Sequence, residues 1–287
     1  MMDQGLSLSE QERIAASSGW RAHRVEVFDT AAGRVIAKGH RPLRSPARHR
    51  ALNFVARLVG VPFLRAVPVH GGAQSQAVEI SRLRALRAAG APVPEVLHVA
   101  PDHFVMRWLG ANQLANLLHQ RHPAAFDLWL QGARALVSVH AASQYLSQCF
   151  GRNMIVDDRA EPPRFAGMID FEDNPLEVMT LPEAQVRDWL IYLQSTLWDL
   201  HVPTARLDAA LDELMQAERP EVRALFLSVC ARLSWLRCLP EKRKFGRDII
   251  AVQAVAAAAY RWRARHQGAA PSPLSFSATQ SQDEANP

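Results

Sequence analysis

The sequence predicts an α+β fold in which strands dominate the first 110 residues and helices dominate the remainder. Apolar and polar residues alternate in the first part, which is typical of half-buried strands. After residue 111 apolar residues recur at helical spacing, and one hairpin pattern interrupts them. A chain of 287 residues with 48% hydrophobic content can bury a full core, as one large domain or as two tightly packed parts.

The first part is predicted to contain a hairpin, a helix and two further strands. Apolar and polar residues alternate around Val25, and turn residues precede a second strand that ends at Lys38. The helix stops before Gly90 and contains a single acid, Glu79. Residues 1–19 are predicted to be a flexible arm, with a short helix as the alternative. The predicted elements are the hairpin at 20–38, the helix at 74–89 and strands at 95–99 and 103–108.

The second part is predicted to be mainly helical and to end in a disordered tail. Proline follows Leu181 in the first turn of one helix, where its missing N–H group costs little. Residues 268–287 are rich in Gly, Pro, Ser, Thr and Gln, a composition that does not form a packed core. The predicted helices occupy 113–118, 124–142, a segment from Leu181, 204–218, 220–238 and 241–265.

The hairpin pattern in the second part places two polar side chains together. Apolar runs at 154–156 and 165–169 flank turn-forming residues, which predicts a buried β-hairpin. Asn153 directly precedes the first run, and Asp170 directly follows the second. The hairpin therefore brings an amide oxygen next to a carboxylate, and such hard oxygen ligands suit Mg²⁺ that carries nucleotide phosphates.

The residues around this hairpin resemble the protein-kinase-like superfamily, in the bacterial branch of aminoglycoside phosphotransferases and lipopolysaccharide core-sugar kinases. In that family the catalytic loop reads H-G-D-x-x-x-x-N and the metal loop begins with D-F. Alignment on Asn153 places Asp170 and Phe171 at the metal loop. The resemblance implies ATP and Mg²⁺ as cofactors, with Asn153 and Asp170 as metal ligands. It also implies a two-lobed kinase-like fold, with a small β-rich N-lobe at residues 20–110 and a larger helical C-lobe at 111–267.

The same alignment shows one departure from the family. Gln148 stands at the position of the catalytic Asp, and Leu146-Ser147 replaces the preceding His-Gly pair. Glutamine cannot accept a proton as a carboxylate does. The metal-binding half of the predicted site is therefore present, while the general base is missing.

Residues of the first part also fit the resemblance. Lys38 ends the sequence V-I-A-K, which resembles the family's V-A-I-K, and is expected to neutralise phosphate charge; the alternative is a solvated lysine at a strand end. Glu79 is expected to pair with Lys38 and hold it toward the phosphates. The sequence F-V-M-R-W-L-G resembles the strand that leads into the hinge between the lobes. Backbone groups that are expected to contact adenine belong to Met106, Arg107 and Trp108.

Residues of the helical part are expected to support the catalytic loop. His140 precedes the loop and is expected to pack or to brace it rather than to act in catalysis. Asp188 matches the family's Asp that hydrogen-bonds the loop backbone from below, and its apolar neighbours predict that it is buried. Arg187, one residue earlier, is expected to face another way.

The net charge of +5 is distributed unevenly, because no Asp or Glu lies between Thr30 and Val78 while many arginines do. A basic surface there can attract the phosphates of a nucleotide, a nucleic acid, an anionic membrane or lipopolysaccharide. Residues 41–68 form a basic insertion relative to a minimal N-lobe. A helix packed on the sheet is favoured there over a helix on a membrane surface. Nucleic acid is not expected as a partner, because aromatic and basic residues do not alternate in this region.

The chain is expected to be cytoplasmic. No apolar run reaches the roughly 20 residues needed to cross a bilayer, and the N-terminus resembles no secretory signal. Three cysteines without metal-ligand spacing fit reduced thiols, and Cys149 is expected to be a packing residue. A peripheral position at the inner membrane, on an anionic surface or a lipopolysaccharide precursor, is the alternative that the basic segment leaves open.

Two functions are consistent with these patterns. An atypical phosphotransferase that uses ATP and Mg²⁺ to phosphorylate a sugar or lipid-linked cell-envelope acceptor is favoured, because the set of Lys, Glu, Asn and Asp is otherwise intact. The alternative is a pseudokinase that acts as a nucleotide-binding regulatory or scaffold protein. Gln148 is the residue that separates the two.

Overall fold

A computed structural model describes residues 5–40, 67–68, 70–240 and 246–266 of the chain. The fold is α+β, as the sequence predicts, and the described residues form two antiparallel sheets and a larger helical part. The strands are β1 (Val25–Thr30), β2 (Gly33–Gly39), β3 (Val96–Val99), β4 (His103–Arg107), β5 (Asn112–Gln113), β6 (Met154–Asp157) and β7 (Arg164–Met168). The helices are α1 (Leu8–Ala16), α2 (Gly19–His23), α3 (Gly72–Ala88), α4 (Leu114–His119), α5 (Ala125–Ala141), α6 (Leu181–Thr196), α7 (Thr204–Ala217), α8 (Pro220–Leu233) and α9 (Arg247–His266).

Two of the predicted segments lie outside the described residues. These are nearly all of the basic insertion at 41–68 and the tail at 268–287, so the predictions for them stay predictions. Among the helices that the structure describes, none combines the length and the apolar character that crossing a bilayer requires.

Two short helices precede the first sheet, where the sequence predicts a flexible arm. Ser7 and Glu10 form a reciprocal capping box at the start of α1. Ile14 is fully buried, and its carbonyl oxygen accepts a hydrogen bond of 2.8 Å from Trp20 Nε1. The helical alternative is therefore observed over Leu8–Ala16, and Trp20 lies in α2 instead of beginning a strand.

The first sheet has the strand order β1-β2-β4-β3, which makes β2 a central strand. Side chains alternate between the two faces of a strand. Val35 and Ala37 face a cluster that includes Ile14 and Trp20. Lys38, one residue further, therefore points to the opposite face, toward the rest of the molecule.

The second sheet, β5-β6-β7, contains the hairpin that the sequence predicts. Met154 pairs with Met168 in antiparallel register. The N–H group of Ile169 donates to the carbonyl oxygen of Asn153 at 3.0 Å. Asn153 and Asp170 consequently lie at the same end of the hairpin.

Helix α6 lies in the interior of the helical part. Trp189 and Tyr192 on this helix are fully buried. Trp189 Nε1 donates to Glu218 at 2.7 Å, and the Tyr192 hydroxyl donates to the carbonyl oxygen of Trp129 at 2.6 Å. Because α6 is packed by these contacts, Asp188 on the same helix is held inside the protein, where it is 0% exposed.

Candidate functional site

Charged side chains from four segments meet where the first sheet faces the hairpin. Lys38 Nζ lies 2.7 Å from Glu79 Oε1 and 3.1 Å from Asp170 Oδ1. It also lies 2.9 Å from Glu172 Oε1, and Arg24 binds the same carboxylate oxygen. We refer to these five residues as the Lys38 cluster. The structure thus brings Lys38, Glu79 and Asp170 together, as the sequence predicts.

Local structure explains how two of the carboxylates reach Lys38. Glu79 lies on the buried face of α3, together with Leu83 and Leu86. Asp170 has a φ angle of +74°, in the left-handed region that residues other than glycine rarely adopt. Such a conformation costs about 1 to 3 kcal/mol and persists where surrounding contacts impose it, often at functional sites.

Burial sets the electrostatics of the Lys38 cluster. Desolvation raises the pKa of Glu79, the positive charge of Lys38 opposes this shift, and the negative charge of Asp170 adds to it. The net shift of the Glu79 pKa is upward. A buried carboxylate whose pKa is raised depends on its cation to remain charged, so Lys38 is the residue that keeps this cluster compatible with a folded interior.

The three carboxylates have the spacing of a metal site, since one oxygen of each of Glu79, Asp170 and Glu172 lies within 4.8 Å of the others. The Lys38 ammonium group, however, lies within 3.1 Å of all three. The cation that these carboxylates surround is therefore the lysine, and a metal ion held by the same three carboxylates would have to displace it.

Asn153 is oriented as a ligand by its own hydrogen bond. It is 7% exposed, and its Nδ2 donates to the carbonyl oxygen of Gln148 at 2.9 Å. This bond uses the amide nitrogen, so the Oδ1 atom is the one left to bind a cation. Asp170 engages Lys38 through Oδ1 and has a second carboxylate oxygen. Both oxygens are of the hard type that Mg²⁺ prefers, so the chemistry of these two residues fits the predicted metal.

The loop of residues 145–153, which we call the Gln148 loop, is held from α6. Asp188 accepts hydrogen bonds from the N–H groups of Leu146 at 2.6 Å and Ser147 at 2.8 Å. Ser147 has a φ angle of +73°, in the left-handed region that favours glycine. The prediction that Arg187 faces another way is wrong, because Arg187 Nη1 donates to the carbonyl oxygen of Ser147 at 3.1 Å.

A second contact joins the Gln148 loop to α3. Arg82, one turn after Glu79, donates to the carbonyl oxygen of Tyr145 at 2.6 Å and stacks over its ring at 3.7 Å. Tyr145 in turn donates from its hydroxyl to Asn174 at 2.8 Å. The helix that holds Lys38 through Glu79 is thereby fixed to the loop that holds Asn153.

Gln148 itself is half-buried and has a fixed backbone. Its N–H donates to the carbonyl oxygen of Leu146 at 3.0 Å, and its carbonyl oxygen accepts from Phe150 at 2.7 Å. Next to it, Cys149 is buried, and burial raises the pKa of its thiol well above the ordinary value. A protonated, buried thiol is a packing group, as the sequence predicts.

Two of the backbone donors that are predicted to contact adenine are occupied inside the protein, and the adenine contact itself stays a prediction. The N–H group of Arg107 donates to the carbonyl oxygen of Glu95 at 2.8 Å, and that of Trp108 donates to Arg34 at 3.1 Å. Met106 lies between strands β2 and β3 and pairs with both. The N–H groups of Arg107 and Trp108 are therefore occupied by hydrogen bonds to the segments on either side of β4, as the register of this strand requires.

His140 braces the helical part, as the sequence predicts. It is fully buried, and its Nδ1 lies 2.7 Å from Glu218 Oε2. Its Nε2 lies 3.6 Å from Asp188 Oδ2, which makes this contact ionic rather than a hydrogen bond. Burial lowers the pKa of His140, but Asp188 and Glu218 together raise it by more, so the net direction is upward. Burial likewise raises the pKa of Glu218, while His140, Trp189 and the Arg219 backbone together lower it by more.

We expect the contribution of His140 to stability to decline as the pH rises. Its folded-state pKa lies above the unfolded value of about 6.5, so the stabilisation is complete below that value and is lost as the pH passes through the folded pKa. Urea unfolding of the wild type and of His140→Asn at pH 6 and pH 9 measures this, and the wild-type advantage should be larger at pH 6. An equal or larger advantage at pH 9 would show that His140 is buried in its neutral form. For Glu218 the sign is opposite, and its contribution is lost at acid pH.

The sequence predictions miss two residues of the Lys38 cluster, Glu172 and Arg24. Strand alternation gives no signal for Glu172, because the φ angle of +74° at Asp170 interrupts the extended backbone two residues earlier. Arg24 likewise carries no signal in a region with many arginines.

A comparison with models of known protein families finds no match for this chain, and a comparison with curated proteins finds no significant relative. Its function is therefore inferred from the chemistry of the site.

Proposed function

We propose that this chain is an atypical kinase-like phosphotransferase that binds ATP and Mg²⁺ between a β-rich N-lobe and a helical C-lobe. The observation that carries the proposal is the meeting of Lys38 with Glu79 and Asp170, which are 41 and 132 residues away in the sequence. A lysine that is held by a glutamate on a helix and lies beside a metal-loop aspartate is the arrangement with which kinases hold nucleotide phosphates.

Each residue has a role in this proposal. Lys38 binds phosphate oxygens, and Glu79 keeps its ammonium group in place. Asn153 and Asp170 hold Mg²⁺ through their side-chain oxygens, and the metal supplies charge neutralisation at the phosphates. Asp188 holds the backbone of the Gln148 loop, so the loop is positioned before any ligand binds.

Gln148 limits the chemistry of the site. Its amide can donate a hydrogen bond to an acceptor hydroxyl or accept one from it, but it cannot take the proton. Phosphoryl transfer depends mostly on positioning and on charge stabilisation. The remaining residues therefore support a slow transfer reaction. The proposed acceptor is a sugar or lipid-linked molecule of the cell envelope, met in the cytoplasm or at the inner membrane surface, and this part of the proposal depends on the sequence resemblance.

Gln148 also favours a second candidate, a pseudokinase. In that case the chain binds nucleotide at the same residues and acts as a regulatory or scaffold protein. The two candidates share nucleotide binding and differ in turnover.

Nucleotide binding is tested by thermal unfolding with and without ATP and Mg²⁺. Saturating ligand is expected to raise the Tm of the wild type, because a ligand at 100 times its Kd stabilises the folded state by about 2.7 kcal/mol. The shift is expected to be lost in Asp170→Asn, which removes the charge and keeps the shape of the side chain.

Asp127→Asn is the matched control, because Asp127 is an exposed carboxylate that pairs with Arg206 away from the Lys38 cluster. Its ligand-dependent shift should equal that of the wild type. A wild type that shows no shift with ATP and Mg²⁺ would refute both candidates.

A further inference from the structure

Arg24 lies beside Lys38 at one end of the first sheet. It follows the last residue of α2, and Val25 directly after it pairs with Lys38 in the β1–β2 register. Its carbonyl oxygen accepts a hydrogen bond of 2.7 Å from the N–H of Gly39. Arg24 adopts a φ angle of +70°, which is rare for a residue other than glycine. The backbone thus turns sharply at the point from which this side chain reaches the Lys38 cluster.

Arg24 and Lys38 bind the same atom. Arg24 Nη2 and Lys38 Nζ both contact Glu172 Oε1, the lysine at 2.9 Å. The Arg24 side chain is 30% exposed, whereas those of Lys38 and Glu172 are 7% and 1% exposed. The Arg24 side chain is therefore the member of this trio that is most open to solvent.

Lys38 contacts two other described carboxylates besides Glu172. They belong to Glu79 and Asp170, so the cluster holds three carboxylates and two cations. An ammonium group and a guanidinium group that together bind one carboxylate oxygen can bind a phosphate oxygen in the same way. Glu172 Oε1 therefore occupies an anion-binding position that the two cations create.

We propose that Arg24 and Lys38 form a two-cation clamp for a polyphosphate chain, and that Glu172 is the resident anion which the phosphate displaces. This inference rests on the proposed function and adds a residue to it. The sequence lacks the glycine-rich loop whose backbone covers nucleotide phosphates in kinases. Arg24 supplies donors from the segment that leads into β1, and its planar group offers two parallel N–H donors to one phosphate.

The test compares Arg24→Gln with Arg21→Gln. Arg21 is the matched control because it lies on α2, loses the same charge on substitution, and pairs with Asp102 instead of the Lys38 cluster. Affinities are measured by calorimetry for three probes: ATP with Mg²⁺, tripolyphosphate with Mg²⁺, and adenosine. Arg24→Gln should weaken both phosphate ligands about tenfold, which corresponds to about 1.4 kcal/mol, and leave adenosine unchanged. Arg21→Gln should leave all three unchanged.

Two further variants test the clamp and its resident anion. Arg24→Lys keeps the charge and removes the planar fork, so it should lose part of the affinity for tripolyphosphate while it folds as the wild type does. Glu172→Gln removes the competing charge and should bind tripolyphosphate severalfold more tightly. If Glu172→Gln instead weakens binding as much as Arg24→Gln does, Glu172 positions the cations and is not displaced.

The outcomes separate this inference from the proposed function. ATP binding that is equal in the wild type, Arg24→Gln and Arg21→Gln would overturn the clamp and leave the proposed function standing. A different result would support the clamp and overturn the nucleotide site. In that case tripolyphosphate binding depends on Arg24, ATP binds no more tightly than tripolyphosphate, and adenosine does not bind. A wild type that binds none of the three probes would overturn both.

Discussion

Replacement of Lys38 by methionine is expected to destabilise the folded chain by about 3 to 5 kcal/mol and to abolish binding of ATP with Mg²⁺. The Lys38 ammonium group lies within 3.1 Å of three carboxylates, and Glu79 and Glu172 are each 1% exposed. Without the lysine, Glu79 loses the ammonium group that lies 2.7 Å from it, and Glu172 keeps Arg24. The cost of such an uncompensated charge exceeds that of losing an ion pair at the surface.

The destabilisation in Lys38→Met should depend on pH with a defined sign. Burial already raises the pKa of Glu79, and removal of the lysine charge raises it further. A folded-state pKa above the unfolded value of about 4.3 means that the folded state binds more protons, so stability rises as the pH falls toward that value. The difference between wild type and variant should therefore be smaller at pH 5 than at pH 8 in urea unfolding. A difference that does not change with pH would show that the effect is caused by lost packing and not by buried carboxylates left without their cation.

A double-mutant cycle tests whether Glu79 is a carboxylate that depends on the charge of Lys38. Lys38→Met and Glu79→Gln together should cost less than the sum of the single changes, because the second change removes one of the charges that the first leaves unpaired. Arg134 and Glu213 provide the control pair, since they lie 2.7 Å apart and both are more than half exposed. Their coupling should be under about 1 kcal/mol.

The parts of the site that follow from local pattern could be predicted from the sequence. Strand periodicity predicts the β6–β7 hairpin, and a hairpin places the residues before and after it at one end, which is how Asn153 and Asp170 meet. Helical periodicity predicts α3, and an acid among its apolar residues is expected to find a cation. Periodicity does not specify which base this acid meets, so the prediction of Lys38 as the partner of Glu79 depends on the family resemblance.

The remaining parts depend on tertiary structure. Arg24 reaches Glu172, 148 residues later in the chain, only because α2 ends in a left-handed turn beside β2. The use of the Arg107 and Trp108 N–H groups depends on the register of β4 with both neighbours, which strand periodicity does not specify. Arg187 and Asp188 both reach Ser147, the first at its carbonyl oxygen and the second at its N–H group, whereas helical periodicity alone places adjacent residues about 100° apart.

Substitution of Gln148 by aspartate is expected to raise phosphate turnover by about two to four orders of magnitude, the usual contribution of a positioned general base. The geometry around this position is already present. Asp188 holds the two residues before it, the Asn153 amide binds its carbonyl oxygen at 2.9 Å, and the left-handed turn at Ser147 sets its direction. In the proposed phosphotransferase, an aspartate on this backbone would supply the general base that the family resemblance implies at this position.

The control for this gain is Gln148→Asn, which has the size of aspartate without its charge. Turnover is measured as release of phosphate from ATP with Mg²⁺, with water and then with sugar acceptors, for wild type and both variants. Turnover in the aspartate variant alone would show that Gln148 is the residue that limits the reaction. Equal, low turnover in all three proteins that nevertheless bind ATP would favour the pseudokinase, because a site that positions nucleotide and still gains nothing from a base does not position an acceptor.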